Sequence, residues 1–377
     1  MRPPLPLVAL DLGSTKVACA IGQAQEQGAW QLLGTSVVSY PVVWEGWLGD
    51  LLLVSRTIEQ AIEAAGVPGD LHRARVALTH PALLSEQVRV SILLGDEPVR
   101  IRNHDLQRLQ AMAVDRILGV DREPLQVAAL SYTGNGFADI RDPRGLAATR
   151  LFGAFHILTL PLSARRAVVQ AVEGAGLEVE QLYYGLSAGL ACLPEEMRLR
   201  QRVLVVDLSG HNSDLAVFAE GSLEAAVVIP GGGVQLAGRI ASTFQITLDQ
   251  AVAWSLEGTA CRKPEVRDLV TAHWAGLEQP LAQLLAGRPK PSIALAGGRA
   301  ALVDGFVEWL ERTTGIPVQL CRSSRTQRSE DMPRQVGLSG AIGLLGMALG
   351  QRSEMQASGR FFNRLVDGTK QLLTEYF

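Results

Sequence analysis

VALDLGSTKVACAIG, from Val8 to Gly22, is the stretch that decides the fold. A short apolar run ends in Asp11, small turn-forming residues follow, and a second alternating run starts after Lys16. The pattern reads as strand, tight turn, strand. LVVDLSGHNSDLAVF, from Leu204 to Phe218, repeats it with Asp207 in the place of Asp11. Recurrence of one supersecondary unit at such a distance predicts two related halves. Working outward, each half alternates such strands with helices. Residues 51–66 and 162–174 carry apolar residues at three- and four-residue spacing and stop at glycine. Residues 300–318 are expected to give helix, glycine stop and strand. Alternation of this kind defines an α/β fold.

Two stretches interrupt the halves. Residues 82–156 carry their own pattern, a helix over 104–118 and strands around 125–139, and are expected to be an inserted subdomain. A smaller insert spans 238–291. The first lobe would then be 1–81 with 157–190, and the second 191–237 with 292–350. A polar linker, QRSEMQAS (351–358), precedes a final segment at 359–377.

That segment, GRFFNRLVDGTKQLLTEYF, divides cleanly on a helical wheel at roughly 100° per residue. Phe361, Phe362, Leu365, Val366, Leu372, Leu373, Tyr376 and Phe377 share one half, and the charged and amide side chains share the other. Such a face either packs on the protein's own body or lies in a membrane interface. Its position after a polar linker favours the membrane. Arg360, Arg364 and Lys370 are nearly balanced by Asp367 and Glu375, so apolar insertion must supply most of the binding.

Composition narrows the function. The 377 residues are 47% hydrophobic and 19% charged, as in a globular chain. A net charge of −3 offers no concentrated basic face for nucleic acid. The four cysteines, Cys19, Cys192, Cys261 and Cys321, are too far apart in sequence for a zinc site or a disulfide scaffold, which suits reduced thiols in a cytosolic protein. MRPPLPLVALDLGS does not read as a signal peptide, and no run of about 18 apolar residues exists to span a bilayer.

The chemistry concentrates at three turns. In ALDLGSTK, a strand ending in acid leads into Gly13, Ser14, Thr15 and Lys16, whose amides, hydroxyls and ammonium suit phosphate oxygens. Asp11 and Asp207 suit Mg²⁺ held through water. In ALAGGRAALVDG, Gly297 and Gly298 follow a buried strand and precede Arg299, leaving bare backbone against which a base or ribose can lie.

These motifs, in this order, resemble the actin, sugar-kinase and heat-shock-chaperone superfamily and, within it, the FtsA family of bacterial cell division. The resemblance runs from LVALDLGSTKVACAIG through DPRGLAATRLFGAFHILTLP and AVEGAGLEVEQL to VLVVDLSGHNSDLAVF, VVIPGGGVQLAGRIA and ALAGG. It implies an actin-like two-lobed duplicated fold with an FtsA-type inserted subdomain and a C-terminal amphipathic helix. It also implies ATP with Mg²⁺ between the lobes, held by the three turns together with Ser209, Gly210, His211, Asn212, Gly232 and Gly233. The sequence departs from the family at Ser209 and His211, where glycines are usual, at Val234 and Arg239, and at Ala251 and Trp254, where a Glu and a Lys usually grip adenine and ribose. Weakened ATP binding without efficient hydrolysis is expected.

By the same resemblance the chain is a scaffold. It would tether FtsZ filaments to the cytoplasmic face of the cell membrane at the division site, self-associate head to tail and recruit later division proteins. The FtsZ tail is expected on the shortened second-lobe insert, near Arg262, Lys263 and Arg267. A PilM-like adaptor that docks a short peptide of a membrane partner is the alternative, and the amphipathic segment favours the scaffold. A sugar kinase would need a catalytic base beside a sugar pocket, and nothing in the sequence supplies one.

Overall fold

The computed structural model describes residues 5–25, 29–40, 49–69, 71–256, 263–323, 325 and 331–350. The linker and amphipathic segment at 351–377, Cys261 and Arg262 lie outside them.

Strands β1 (Leu7–Leu12) and β2 (Lys16–Ala24) form the first hairpin, with Asp11 opposite Ala18, and β3 (Trp30–Ser39) extends it antiparallel. Helix α1 (Leu51–Ala64) starts where the Asp50 carboxylate accepts from Leu53 N at 3.0 Å, and buries Val54, Ile58 and Ala61. Strand β4 (Arg73–Leu78) then returns parallel to β1.

The chain leaves this sheet for β5 (Leu84–Leu93), β6 (Val99–Arg100), α2 (Asn103–Ile117), β7 (Arg122–Gly134), β8 (Phe137–Ile140), β9 (Ala147–Ala148) and β10 (Arg150–Pro161). It rejoins the sheet through α3 (Leu162–Gly174) and β11 (Glu178–Tyr184), the latter parallel to β4.

Helices α4 (Gly185–Leu190) and α5 (Glu195–Arg200) lead to the second half: β12 (Arg202–Leu208), β13 (Asn212–Ala219), β14 (Ser222–Pro230), α6 (Gly233–Phe244), α7 (Leu248–Leu256), α8 (Pro264–Ala275), α9 (Glu278–Leu285) and β15 (Ile293–Gly297). A single 3-10 turn (Arg299–Leu302), α10 (Phe306–Thr314), β16 (Val318–Leu320) and α11 (Met332–Gly350) complete it. The helix, glycine stop and strand expected over 300–318 are α10, Gly315 and β16, and Gly305, at φ +87°, separates α10 from the 3-10 turn before it.

The duplication is topological as well as sequential. One sheet runs β11-β4-β1-β2-β3 and the other β16-β15-β12-β13-β14, each an antiparallel triple followed by two parallel strands. Asp207 faces Asp214 in the register where Asp11 faces Ala18. The fold is a mixed α/β, actin-like one.

The interrupting segment forms its own sheet, β5-β10-β7-β8, with α2 buried on it through Leu109 and Ala113 and with Tyr132 edge-on to Phe155. This body touches both lobes. Arg165 on α3 binds Glu123 at 2.8 Å and Ser187 donates to Gln126 at 2.8 Å. On the other side Gln87 Nε2 donates to Glu224 O at 2.9 Å, and Arg141 Nη2 donates to Ala219 O at 3.2 Å.

Helix α11 crosses the first sheet and packs Leu338, Ile342 and Leu345 against Ala9, Ala18 and Ala20. A Cβ at Gly343 would stand 2.0 Å from Ala188 O, and one at Gly340 would stand 2.6 Å from Asp11 Oδ2. Only glycine lets the helix approach so closely. Among the described residues no helix is long and apolar enough to cross a membrane.

Candidate functional site

The three turns converge on one cleft of about 260 Å³ between the lobes. Asp11, Gly13, Ser14, Thr15, Lys16, Asp207, Ser209, Gly210, Gly233, Gly297, Gly298 and Arg299 all line it. His211, Asn212 and Gly232 do not line it, and Asn212 is buried at the start of β13.

The first turn is built for an anion. Gly13 N closes it on Lys16 O at 3.0 Å, and the Ser14 and Thr15 side chains sit at its tip. Lys16 Nζ lies 3.3 Å from Asp11 Oδ2 and donates to Gly337 O on α11 at 2.6 Å. The ammonium is therefore held at the mouth, with one carboxylate partly balancing it.

The second turn is already occupied by protein. Gly233 N and Val234 N, the leading amides of α6, donate to Ser209 O and Gly210 O at 2.9 Å each. Gln235 N and Leu236 N both return to Gly232 O. A helix N-terminus attracts phosphate through its unpaired amides, and here those amides are spent. Ser209 Oγ donates to Asp207 Oδ2 at 2.5 Å, so the departure at Ser209 caps the acid. His211 N donates to Ser14 Oγ at 3.2 Å. A Cβ on Gly210 would meet Thr15 Cγ2 at 2.3 Å. The two turns are thus in direct contact, and a phosphate between them has to part them.

The third turn explains its glycines by packing. A Cβ on Gly298, which sits at φ +78°, would stand 2.2 Å from Leu208 O, and one on Gly297 would stand 2.8 Å from Asp207 Oδ1. Bare backbone here lets the end of β15 approach the end of β12 as well as offering a flat surface to the cleft.

Electrostatics follow burial. Desolvation raises the Asp207 carboxyl above its ordinary range, with the Ser209 hydrogen bond opposing and Asp11 adding to the rise. Asp214, fully buried beside it, is pushed well up by desolvation and then by Asp207. The Tyr184 phenol beneath them is raised for the same reasons. The donor set of the first turn, with Asp11 and Lys16, fits a nucleotide phosphate. That of the second turn fits it poorly.

Sequence reasoning missed the opposite wall. Gly185, Leu186 and Gly189 of α4, Asp249, Val252 and Ser255 of α7, and Val336, Ser339 and Gly340 of α11 also line the cleft. Regular glycines in α11 were the available signal. Ala251 is buried, and Trp254 packs on Phe244 at 5.5 Å with Lys263 Nζ 4.1 Å over its ring, away from the cleft. Trp254 therefore serves the α6–α7 packing. Arg267 lies on α8, in the same small helical layer.

Fold and cleft together define an actin-like protein with a domain inserted in its first lobe. The family model described as the SHS2 domain inserted in FtsA matches residues 81–159. The chain is similar to the cell division protein FtsA of Pseudomonas aeruginosa, 24% identical over 391 residues that cover 95% of this chain and 93% of that protein. FtsA of Escherichia coli K12 is 27% identical over 242 residues, 63% of this chain and 57% of the relative, so the match spans a little over half of that protein's length. Among solved structures, the PilM–PilN type IV pilus biogenesis complex superposes with a TM-score of 0.70 at 16% identity, covering 92% of this chain and 99% of that one. The chain is thus similar to FtsA in sequence and shares its fold with PilM.

Proposed function

We propose that this protein is an FtsA-type division scaffold. In that reading it anchors FtsZ-type filaments at the cytoplasmic face of the cell membrane, self-associates head to tail and recruits later division proteins. The observation that carries the reading is the FtsA-type SHS2 match at 81–159 inside a chain similar to FtsA along 95% of its length. Residues 359–377, through the apolar face of Phe361 to Phe377, supply the membrane contact. Lys263, Arg267 and Arg262 supply charge for an acidic FtsZ tail. The first turn, with Asp11 and Lys16, holds ATP weakly, Asp11 and Asp207 facing Mg²⁺ through water. Hydrolysis is not part of the proposal.

The test is binding of the intact protein to an FtsZ C-terminal peptide, read by fluorescence anisotropy. Saturable binding, lost when Lys263 and Arg267 are both changed to Glu, is expected. No binding at high micromolar peptide overturns the tether.

The PilM superposition supports a second reading, an adaptor that docks a short cytoplasmic peptide of a membrane partner. Vesicle co-sedimentation separates the two. A scaffold with its own anchor sediments alone, whereas an adaptor needs its partner in the bilayer.

A further inference from the structure

Two cysteines distant in sequence meet on one carbonyl at the back of the cleft. Cys192 N donates to Gly189 O at 3.0 Å, and Cys321 Sγ donates to the same Gly189 O at 3.4 Å. Cys192 Sγ turns to Ser339 O on α11 at 3.2 Å. Cys321, just past β16 at the edge of the second sheet, is 2% exposed yet lines the cleft wall. Cys192 sits on the segment after α4 that packs against α11. Neither thiol is among the groups proposed to hold phosphate or to contact membrane and filament. Cys19 differs: it lies inside β2 opposite Leu10, and burial raises its thiol to about 12.

We propose that Cys192 and Cys321 form a modification site, a dithiol that a peroxide entering the cleft converts to an internal disulfide. Cys321 Sγ, on the cleft wall, attacks the peroxide oxygen, becoming a sulfenic acid while one water leaves. The Cys192 sulfur then attacks the Cys321 sulfur and a second water departs. Two thiols and one hydrogen peroxide thus give one disulfide and two waters. Cys192 does not line the cleft, and the neighbouring Cys321 and burial push its thiol up, which leaves it as the resolving partner. The new bond ties the α4–α11 side of the first lobe to the edge of the second sheet, so the cleft loses its freedom to widen. A thiol reductant reverses it by exchange.

The experiment uses the full chain and hydrogen peroxide at near-stoichiometric dose, followed by alkylation and non-reducing peptide mapping. Expected is a linked pair of peptides carrying Cys192 and Cys321, a mass loss of two hydrogens and full reversal by dithiothreitol. In Cys192→Ser, dimedone should trap a sulfenic acid on Cys321; in Cys321→Ser, it should label nothing at Cys192. Three outcomes would overturn the site: Cys321 passing to sulfinic acid in the unsubstituted chain without a link, linkage to Cys19 or Cys261 instead, or both thiols left unreacted. The linked-peptide readout needs no variant, so a substitution that fails to fold does not spare the proposal.

Discussion

Gly298 shows what a single position can demand. It combines φ +78° with a backbone oxygen 2.2 Å from where a Cβ would stand. Gly298→Ala should therefore cost about 1–3 kcal/mol of stability in urea unfolding. Gly238, in the body of α6, meets nothing within 4 Å. There the same change should raise stability by about 0.5–1 kcal/mol, so the pair separates strain from general sensitivity to substitution. Ser209 is a second test. Its hydroxyl caps Asp207, and Ser209→Gly should free the acid and tighten ATP measurably in a fluorescent-nucleotide titration; unchanged or weaker affinity would sink that account. Asp11, Lys16 and the paired glycines were legible in sequence because turns are local. The spent amides of Gly233 and Val234 were not, because their partners at Ser209 and Gly210 are set by how α6 docks on the turn. Cys192 and Cys321 were illegible as a pair for the same reason: only the fold brings them to Gly189.

At the scale of elements, β10 and β14 carry the joint between the inserted body and the second lobe. His156 on β10 pairs with Ser85 at 2.8 Å, and Ala226 N of β14 donates to the same hydroxyl at 3.3 Å. Burial, then the charge of Arg288, lowers the imidazole to about 4 from 6.5. Below pH 6.5 the unfolded chain gains a proton that the folded one refuses, so this contribution is complete above pH 6.5 and is lost as pH falls toward 4. His156→Gln should flatten the loss relative to the unsubstituted chain, by up to roughly 1.4 kcal/mol per pH unit over that window, measured by urea unfolding at pH 7.5 and 5.5. Parallel pH curves for the two proteins would refute it. The strands here were readable from alternation, but their seam against β14 was not. Helix α11 marks the other limit: its contact with Asp11 depends on Gly340, whose neighbour lies hundreds of residues earlier.

For the whole molecule, the repeated hairpin foretold the repeated sheet, since strand order follows from chain order once each unit has the same turns. Two measurements address the proposed role. Removal of residues 359–377, or Phe362→Asp, should abolish co-sedimentation with vesicles while leaving the unfolding transition in place; retained sedimentation would assign the binding elsewhere. Mg-ATP should stabilise only slightly at millimolar concentration, well short of the ~2.7 kcal/mol expected at 100-fold over Kd, and a full shift would show that the occupied second turn is no obstacle. One feature governs how the lobes respond. Arg165 and Ser187 fix the inserted body to one side of the cleft, while Gln87 and Arg141 fix it to the other. Three parts joined pairwise make a triangle, and a triangle braces where a clamshell would swing. Any ligand that spreads the jaws must shear that third side, so the gape is governed from outside the jaws, by whatever grips or loosens the brace.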